Sequence, residues 1–235
     1  MAWPTGWDVR HVIETASTNT DLVQALEDGT AGNRSVIATD HQTAGRGRLD
    51  RRWEAPPGVN LLVSLAFAPV PGVPVEATHR VGLAAVTAVR KICPEADVAL
   101  KWPNDVLLDD RKLAGILAQR TPVRDAVVVG LGLNVGWAPD GAASLGAAVA
   151  PAEVLRSVLE AIDDQPVLVR PAYLAALATL GRRIRIELPT AERVVEGLAV
   201  DVDDQGRLVV ETHDGVHRTF DVGDIVHLRT GENPV

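Results

Sequence analysis

A chain of 235 residues with 46% hydrophobic content is long enough for one ordinary domain and a small appendage. A net charge of −8 argues against wholesale binding to nucleic acid, because a phosphate polymer needs a basic surface. No stretch approaches the roughly 20 apolar residues of a membrane span, the N-terminus lacks the basic start of a signal peptide, and one cysteine, Cys93, excludes an internal disulfide, so a cytoplasmic protein with a buried thiol is expected.

Asp8–Glu14 carries apolar residues at Val9 and Ile13 and reads as a strand. Ser17-Thr18-Asn19-Thr20-Asp21 follows, a cluster of good helix N-caps ahead of the apolar face Leu22, Val23 and Leu26. Ser35–Thr39 is a β-branched strand, after which the pattern stops from Asp40 to Gly58; a loop of that length in a compact domain is usually functional or disordered. Asn60–Phe67 is a continuous apolar strand, Val75–Ile92 has helical spacing, and Val98–Trp102, Val106–Leu108, Leu113–Ala118 and Ala126–Val135 give four further strands. With helices predicted over Pro151–Ile162 and Val167–Leu180, residues 1–181 make a mixed α/β domain around one sheet. The texture changes after Gly181. Arg183–Leu188, Val194–Val202, Arg207–Thr212, His217–Val222 and Ile225–Leu228 alternate as short strands between turn signals at Pro189-Thr190, Asp203–Gly206, Asp214-Gly215 and Val222–Asp224, which predicts a small five-stranded antiparallel barrel over 182–235.

Of 23 Lys and Arg side chains only three are lysine, at 91, 101 and 112, and two of these fall within twelve residues of each other. Arginine is planar and forked whereas lysine is a compact point charge, so a tight site that needs one ammonium group cannot take arginine instead. Lys101-Trp102-Pro103-Asn104-Asp105 ends an apolar strand, and Arg111-Lys112-Leu113-Ala114-Gly115-Ile116-Leu117 begins the next after the turn Asp109-Asp110. The hairpin brings Lys101, Asn104, Asp105 and Lys112 into one neighbourhood. Two ammonium groups beside a carboxylate suit phosphate with a metal: the lysines neutralise anionic oxygens, and Asp105 holds Mg²⁺ or accepts a proton. The bland alternative is a surface salt-bridge cluster. In the long loop, Gly45-Arg46-Gly47-Arg48 leads to Arg51 and Trp53; glycines there let backbone N–H groups approach a ligand, and arginines offer forked donors to phosphate or carboxylate. It is not a Walker A loop. A solvated basic loop or an RNA-contacting turn are its alternatives, and the overall acidity disfavours the latter.

In order and spacing, Ser17-Thr18-Asn19, the glycine–arginine loop, Lys101–Asp105, Arg111–Leu117 and Gly132-Leu133-Asn134-Val135 resemble the biotin protein ligases over nearly the whole chain. The resemblance implies a class II aminoacyl-tRNA synthetase-like catalytic domain of mixed α/β (α+β) type, followed by an SH3-like barrel. It implies activation of biotin with MgATP to biotinyl-5′-AMP, then transfer to a lysine of a biotin carboxyl carrier protein domain. ATP and Mg²⁺ would serve with no tightly bound cofactor, in a monomer or homodimer that contacts neither nucleic acid nor membrane. By resemblance, Ser17, Thr18, Asn19, Gln42, Gly45, Arg46, Gly47, Arg48, Lys112 and Gly115 hold biotin. Arg46, Arg48, Arg51, Trp53, Lys101, Asn104 and Asn134 hold ATP, and Lys101, Arg48, Asp105 and Lys112 carry the chemistry, with Lys112 on the biotin carboxylate and Asp105 the candidate Mg²⁺ contact.

Asp50 stands where the family more often has glycine, and His41, beside Gln42, reads as a packing residue of the loop. A lipoate or octanoate ligase shares the fold, but its ligand has no ureido ring for Ser17, Thr18 and Gln42 to meet. Sequence of the family type begins by about Val9, which leaves no room for a helix-turn-helix repressor domain ahead of it. Intact Lys101, Asp105 and Lys112 argue against a catalytically dead scaffold or regulator.

Overall fold

Period-two alternation in the central strands decides what reaches each face of the main sheet. The computed structural model describes residues 2–49, 51–70, 72–121, 125–146, 148–187, 194–221 and 224–227. Its first part contains β1 (Asp8–Thr15), α1 (Thr18–Glu27), β2 (Ser35–Gln42), β3 (Leu61–Phe67), α2 (Pro74–Ile92), β4 (Val98–Lys101), β5 (Asp105–Leu108), β6 (Arg111–Arg120), β7 (Val127–Leu133), α3 (Pro151–Asp163) and α4 (Arg170–Ala176). Seven strands form one sheet in the order β1-β2-β3-β7-β6-β5-β4. Only β1 and β2 run parallel; the other neighbours are antiparallel.

The sheet is covered on both sides, which is why β3 is apolar throughout. Leu22 and Leu26 of α1 bury one face against Ile37, Ala66 and Val128. On the other face, Val81, Ala84, Ala85 and Ala88 of α2 and Leu155 and Leu159 of α3 pack on Leu65, Val129 and Leu131. Small alanines on α2 let it lie close to both the strands and α3. No helix among the described residues is long and apolar enough to cross a membrane.

Beyond Gly181, β8 (Arg183–Glu187), β9 (Val194–Val202), β10 (Leu208–Thr212), β11 (His217–Phe220) and β12 (Asp224–His227) form a second antiparallel sheet in the order β11-β10-β9-β8-β12. Among the described residues β11 and β12 do not pair, so the predicted barrel is an open sheet; outer strands of four residues offer few ladder bonds with which to close it. Leu188, Pro189-Thr190, Val222 and Leu228 of the predicted strands and turns lie outside the described residues. The sheet shares the main domain's core, since Ile184, Ile186, Leu208 and Val210 belong to the same hydrophobic cluster.

The predicted helix Val167–Leu180 is shorter than expected. Only Arg170–Ala176 is helical, with Pro171 in its first turn, and Leu177 leaves in an extended conformation. Its continuation joins the edge of the sheet instead: Leu177 bridges to Leu100, Ala178 N–H donates to the Leu100 carbonyl at 2.8 Å, and Thr179 Oγ1 accepts from Trp102 N–H at 3.1 Å. Trp102 in turn donates its indole N–H to the Gly206 carbonyl of the β9–β10 turn at 2.9 Å, tying the two sheets together. Arg170 adds a bond to the Val202 carbonyl at 2.7 Å and an ion pair with Asp201. Beside it, the buried rings of His79 and Tyr173 stack with centroids 3.6 Å apart. Burial there, reinforced by the nearby Arg170 charge, pushes the His79 imidazole down to about 4.

Candidate functional site

The floor of the site is a run of glycines set by strand alternation. In β7, Val127, Val129, Leu131 and Leu133 face the α2 side, which leaves Gly130 and Gly132 on the opposite face with Val128. Gly132 pairs in register with Gly115 of β6. The Trp53 indole lies on this pair: a Cβ at Gly115 would sit 3.0 Å from the ring and one at Gly132 only 2.5 Å from it. Trp53 Nε1 is buried there without a hydrogen-bond partner. Gly130 is bare for a different reason, because a side chain would strike the Asn19 amide.

Above that floor, the first turn of α1 delivers Ser17, Thr18 and Asn19, all buried. Ser17 is the N-cap residue by position, yet its hydroxyl makes no capping bond and the residue lines the cavity. The end of β2 brings Gln42, whose Oε1 accepts from Thr18 N–H at 2.9 Å and stands 3.1 Å from Thr18 Oγ1. Behind them lies Ser64, which stands in the middle of apolar β3 and is wholly buried; its Oγ is 2.7 Å from Thr18 Oγ1 and 2.6 Å from Asn19 Oδ1. Asn19 Nδ2 completes the chain by donating to the Leu117 carbonyl at 3.1 Å.

The charged end is built by the β5–β6 hairpin. Asp109 and Asp110 both take positive φ, 50° and 59°, the backbone that a two-residue type I′ turn requires and that Asp tolerates. Lys101 pairs in register with Asp105 and Leu107 with Lys112, with a bulge between Val106 and Leu107. The Lys112 ammonium stands 2.7 Å from Asp105 Oδ1, a charge contact rather than a well-directed hydrogen bond, and 5.7 Å from the centre of the Trp53 ring. Asp105 thus pairs with Lys112, as the salt-bridge alternative had it, and that pairing holds the ammonium at the cavity wall.

The glycine–arginine loop folds back on itself. Arg46 and Arg52 form an antiparallel bridge, Gly47 N–H donates to the Arg51 carbonyl at 2.7 Å, and Trp53 N–H donates to the Gly45 carbonyl at 3.0 Å. Any side chain at Gly45 would collide with the Trp53 carbonyl, so glycine is required there by packing. Arg46 donates to Thr20 Oγ1 at 3.1 Å, and Arg48 to Asn104 Oδ1 at 3.4 Å, while Asn104 Nδ2 donates to the Ile116 carbonyl.

These parts enclose one cavity of about 510 Å³, large enough for a drug-sized ligand. Every site residue read from the sequence lines it except Gly45, which acts from behind through Trp53. Asn134 contributes chiefly as a brace: its Oδ1 accepts from Asn60 at 3.4 Å and its Nδ2 donates to the Ala143 carbonyl at 3.0 Å. His41 is not part of the lining; it pairs with Glu14 at 2.9 Å across β1 and β2. Cys93 is the C-cap of α2, where the helix ends, and is partly exposed rather than buried. Asp50 lies outside the described residues.

Sequence reasoning missed Ser64, Gly130, Asn60, Glu187 and Ile225. Gly130 was legible as the first of two glycines at strand spacing in Gly130-Leu131-Gly132. Glu187 and Ile225 come from the second sheet and line the cavity only because that sheet is tied to the main domain, through Trp102 and Gly206 among others, which no local signal announces. Among the described residues no group of three or more His, Cys, Asp or Glu is placed to cage a metal.

A family model described as the Biotin/lipoate A/B protein ligase family matches residues 12–135, and one described as the Biotin protein ligase C terminal domain matches 179–228. The Biotin--[acetyl-CoA-carboxylase] ligase of Mycobacterium tuberculosis is 38% identical over 246 residues, covering 95% of this chain and 91% of that one. That of Paracoccus denitrificans is 34% identical over 223 residues, with 83% and 91% covered. In fold, the chain is similar to the biotin protein ligase from Aquifex aeolicus in complex with biotin and ATP, at a TM-score of 0.77, 24% identity and coverage of 95% and 99%.

Proposed function

The chain belongs to the biotin protein ligase family, and from that membership we propose the two steps and the division of labour by which it acts on biotin and ATP. In the first step a biotin carboxylate oxygen attacks the α-phosphorus of ATP, the bond from that phosphorus to the bridging oxygen breaks, and pyrophosphate leaves. In the second, a lysine amine of a biotin carboxyl carrier protein domain attacks the acyl carbon of biotinyl-5′-AMP; the acyl C–O bond breaks, AMP leaves and the amine loses a proton.

The observation that carries the reading is the mix of neutral and charged polar groups that line this cavity. One end offers Ser17, Thr18 and Gln42 to a neutral ureido ring, and the Gly115–Gly132 strip beside it, free of side chains, seats the Trp53 indole as an apolar wall. Arg48, Arg51, Lys101 and Lys112 supply charge for anions, and Arg46 adds to it from beside Thr20. Lys112, tied down by Asp105, sits where a carboxylate must meet a phosphate. Arg46, Arg48 and Lys101 neutralise the phosphates, Trp53 covers the ligand from the loop, and Asn104 and Asn134 brace the walls. Catalysis is then chiefly alignment and electrostatic stabilisation of the crowded phosphorus. With no cage of three or more acidic or imidazole groups among the described residues, a Mg²⁺ ion would arrive on the nucleotide and be held mostly by phosphate oxygens, and Asp105 would be its protein contact; the ion would supply charge neutralisation on the leaving pyrophosphate. We assign residues 1–181 to the catalytic domain and 182–235 to the SH3-like domain.

Incubating the purified chain with labelled biotin, ATP, Mg²⁺ and a carrier domain should label one carrier lysine. Transfer of lipoate with no transfer of biotin would contradict the reading.

A further inference from the structure

The hydrogen bonds behind Thr18 place the Ser64 proton and leave the Thr18 proton two acceptors, the nearer of which is Ser64. Asn19 Nδ2 faces the Leu117 carbonyl at 3.1 Å, which only accepts, so the amide cannot be flipped and Oδ1 points to Ser64, 2.6 Å away. Oδ1 is also only an acceptor, so the single Ser64 proton goes to Asn19. Ser64 Oγ is then an acceptor toward Thr18 Oγ1, which lies 2.7 Å from it. The alternative acceptor for Thr18 is Gln42 Oε1 at 3.1 Å, itself fixed by Thr18 N–H. Either way the Thr18 proton is held inside the protein, and only lone pairs remain for the cavity that Thr18 lines. Ser64 is 0% exposed, so bulk water does not reshuffle the order.

We propose that Ser64, which does not itself line the cavity, is a positioning residue that makes Thr18 a hydrogen-bond acceptor, so that the site selects a ring N–H over a ring oxygen at that point. The assignment rests on the reading of Thr18 as a contact of the biotin ureido ring. A serine hydroxyl suits the task because it donates to one neighbour and accepts from the other at once; alanine can do neither.

The test uses the full chain, wild type and with Ser64→Ala or Ser64→Cys, titrated calorimetrically with biotin and with its two analogues in which one or other ureido N–H is replaced by ring oxygen. Wild type should bind biotin about 100-fold more tightly than one of the two analogues, because there two acceptors face each other. Ser64→Ala should weaken biotin about tenfold and reduce that discrimination to roughly tenfold or less, since the Thr18 hydroxyl is then freer to turn outward and donate. Ser64→Cys, a weak donor of similar shape, should fall between them and serves if the alanine variant melts early. A purely structural role would weaken biotin and the analogues alike, so an unchanged ratio in a variant that melts like wild type overturns the assignment. Failure of wild type to bind biotin at all would overturn the reading of the site along with it.

Discussion

The two ends of the cavity solve the same problem, recognising polar groups, in opposite ways. At the Thr18 end the groups are neutral and joined to one another: Leu117, Asn19, Ser64, Thr18 and Gln42 form one hydrogen-bonded chain whose middle three members are buried. At the Lys112 end they are long and partly solvated, with the Lys112 and Asp105 side chains 42% and 22% exposed. Buried polar groups are costly when unsatisfied, by about 1–3 kcal/mol each, so a chain of them has little freedom and fixes the direction of every bond. Exposed ion pairs are worth about 0–1 kcal/mol and rearrange readily. A neutral ring needs its donors and acceptors matched in advance; a triphosphate that arrives, reacts and departs needs charge that follows it.

The contrast can be broken most strongly at Gly130. Replacing it by alanine drives a methyl group into the Asn19 amide, which is held on both sides and has nowhere to go. Gly130→Ala should weaken biotin by about 100-fold in calorimetry and leave ATP binding within about twofold; equal losses for both ligands would show that the ends are not separate.

Burial also has a pH signature. His79 is held neutral down to about 4 by burial and by Arg170, against an ordinary value of 6.5. Above pH 6.5 neither folded nor unfolded chain is protonated there and the stability is intact; below it the unfolded chain takes up a proton that the folded chain refuses. Stability is therefore lost as pH falls through the window from 6.5 to about 4, by about 2 kcal/mol at pH 5. His79→Phe keeps a ring on Tyr173 and does not titrate, so its loss between pH 7 and 5 in denaturant melts should be smaller by that amount.

At the charged end, Lys101→Ala should raise the KM for ATP about tenfold while biotin affinity moves less than about twofold. Smallest of all is the effect of salt. Raising ionic strength from about 0.05 to 0.5 M should raise the KM for ATP a few-fold and leave biotin binding nearly unchanged, because only the exposed charges are screened.

Most of the scaffold was legible because its periodicities are clean: α2 begins one residue before the predicted Val75 and both end at Ile92, and β3 begins one residue after the predicted Asn60. The end of α4 was not, since Leu174, Leu177 and Leu180 have helical spacing, yet Leu177 and Thr179 are claimed by Leu100 and Trp102 far away in sequence. Alternation predicts the strands of the second sheet but not which edges meet, and among the described residues β11 and β12 do not pair. In the site, Lys101 and Lys112 stood out because lysine is rare here and the two are close in sequence, and Asp105 because it lies between them. Ser64 did not, because a serine in an apolar strand reads as a tolerated polar residue until its partners, 45 and 46 positions away, are brought to it.

The junction between the two ends is Lys112, and exchange of labelled pyrophosphate into ATP reads the chemistry there without any carrier protein. The account predicts exchange that requires biotin in the wild type and falls by about 1000-fold or more in Lys112→Ala, with the melting temperature little changed because the lost ion pair is partly exposed. Exchange at the wild-type rate in Lys112→Ala would contradict it.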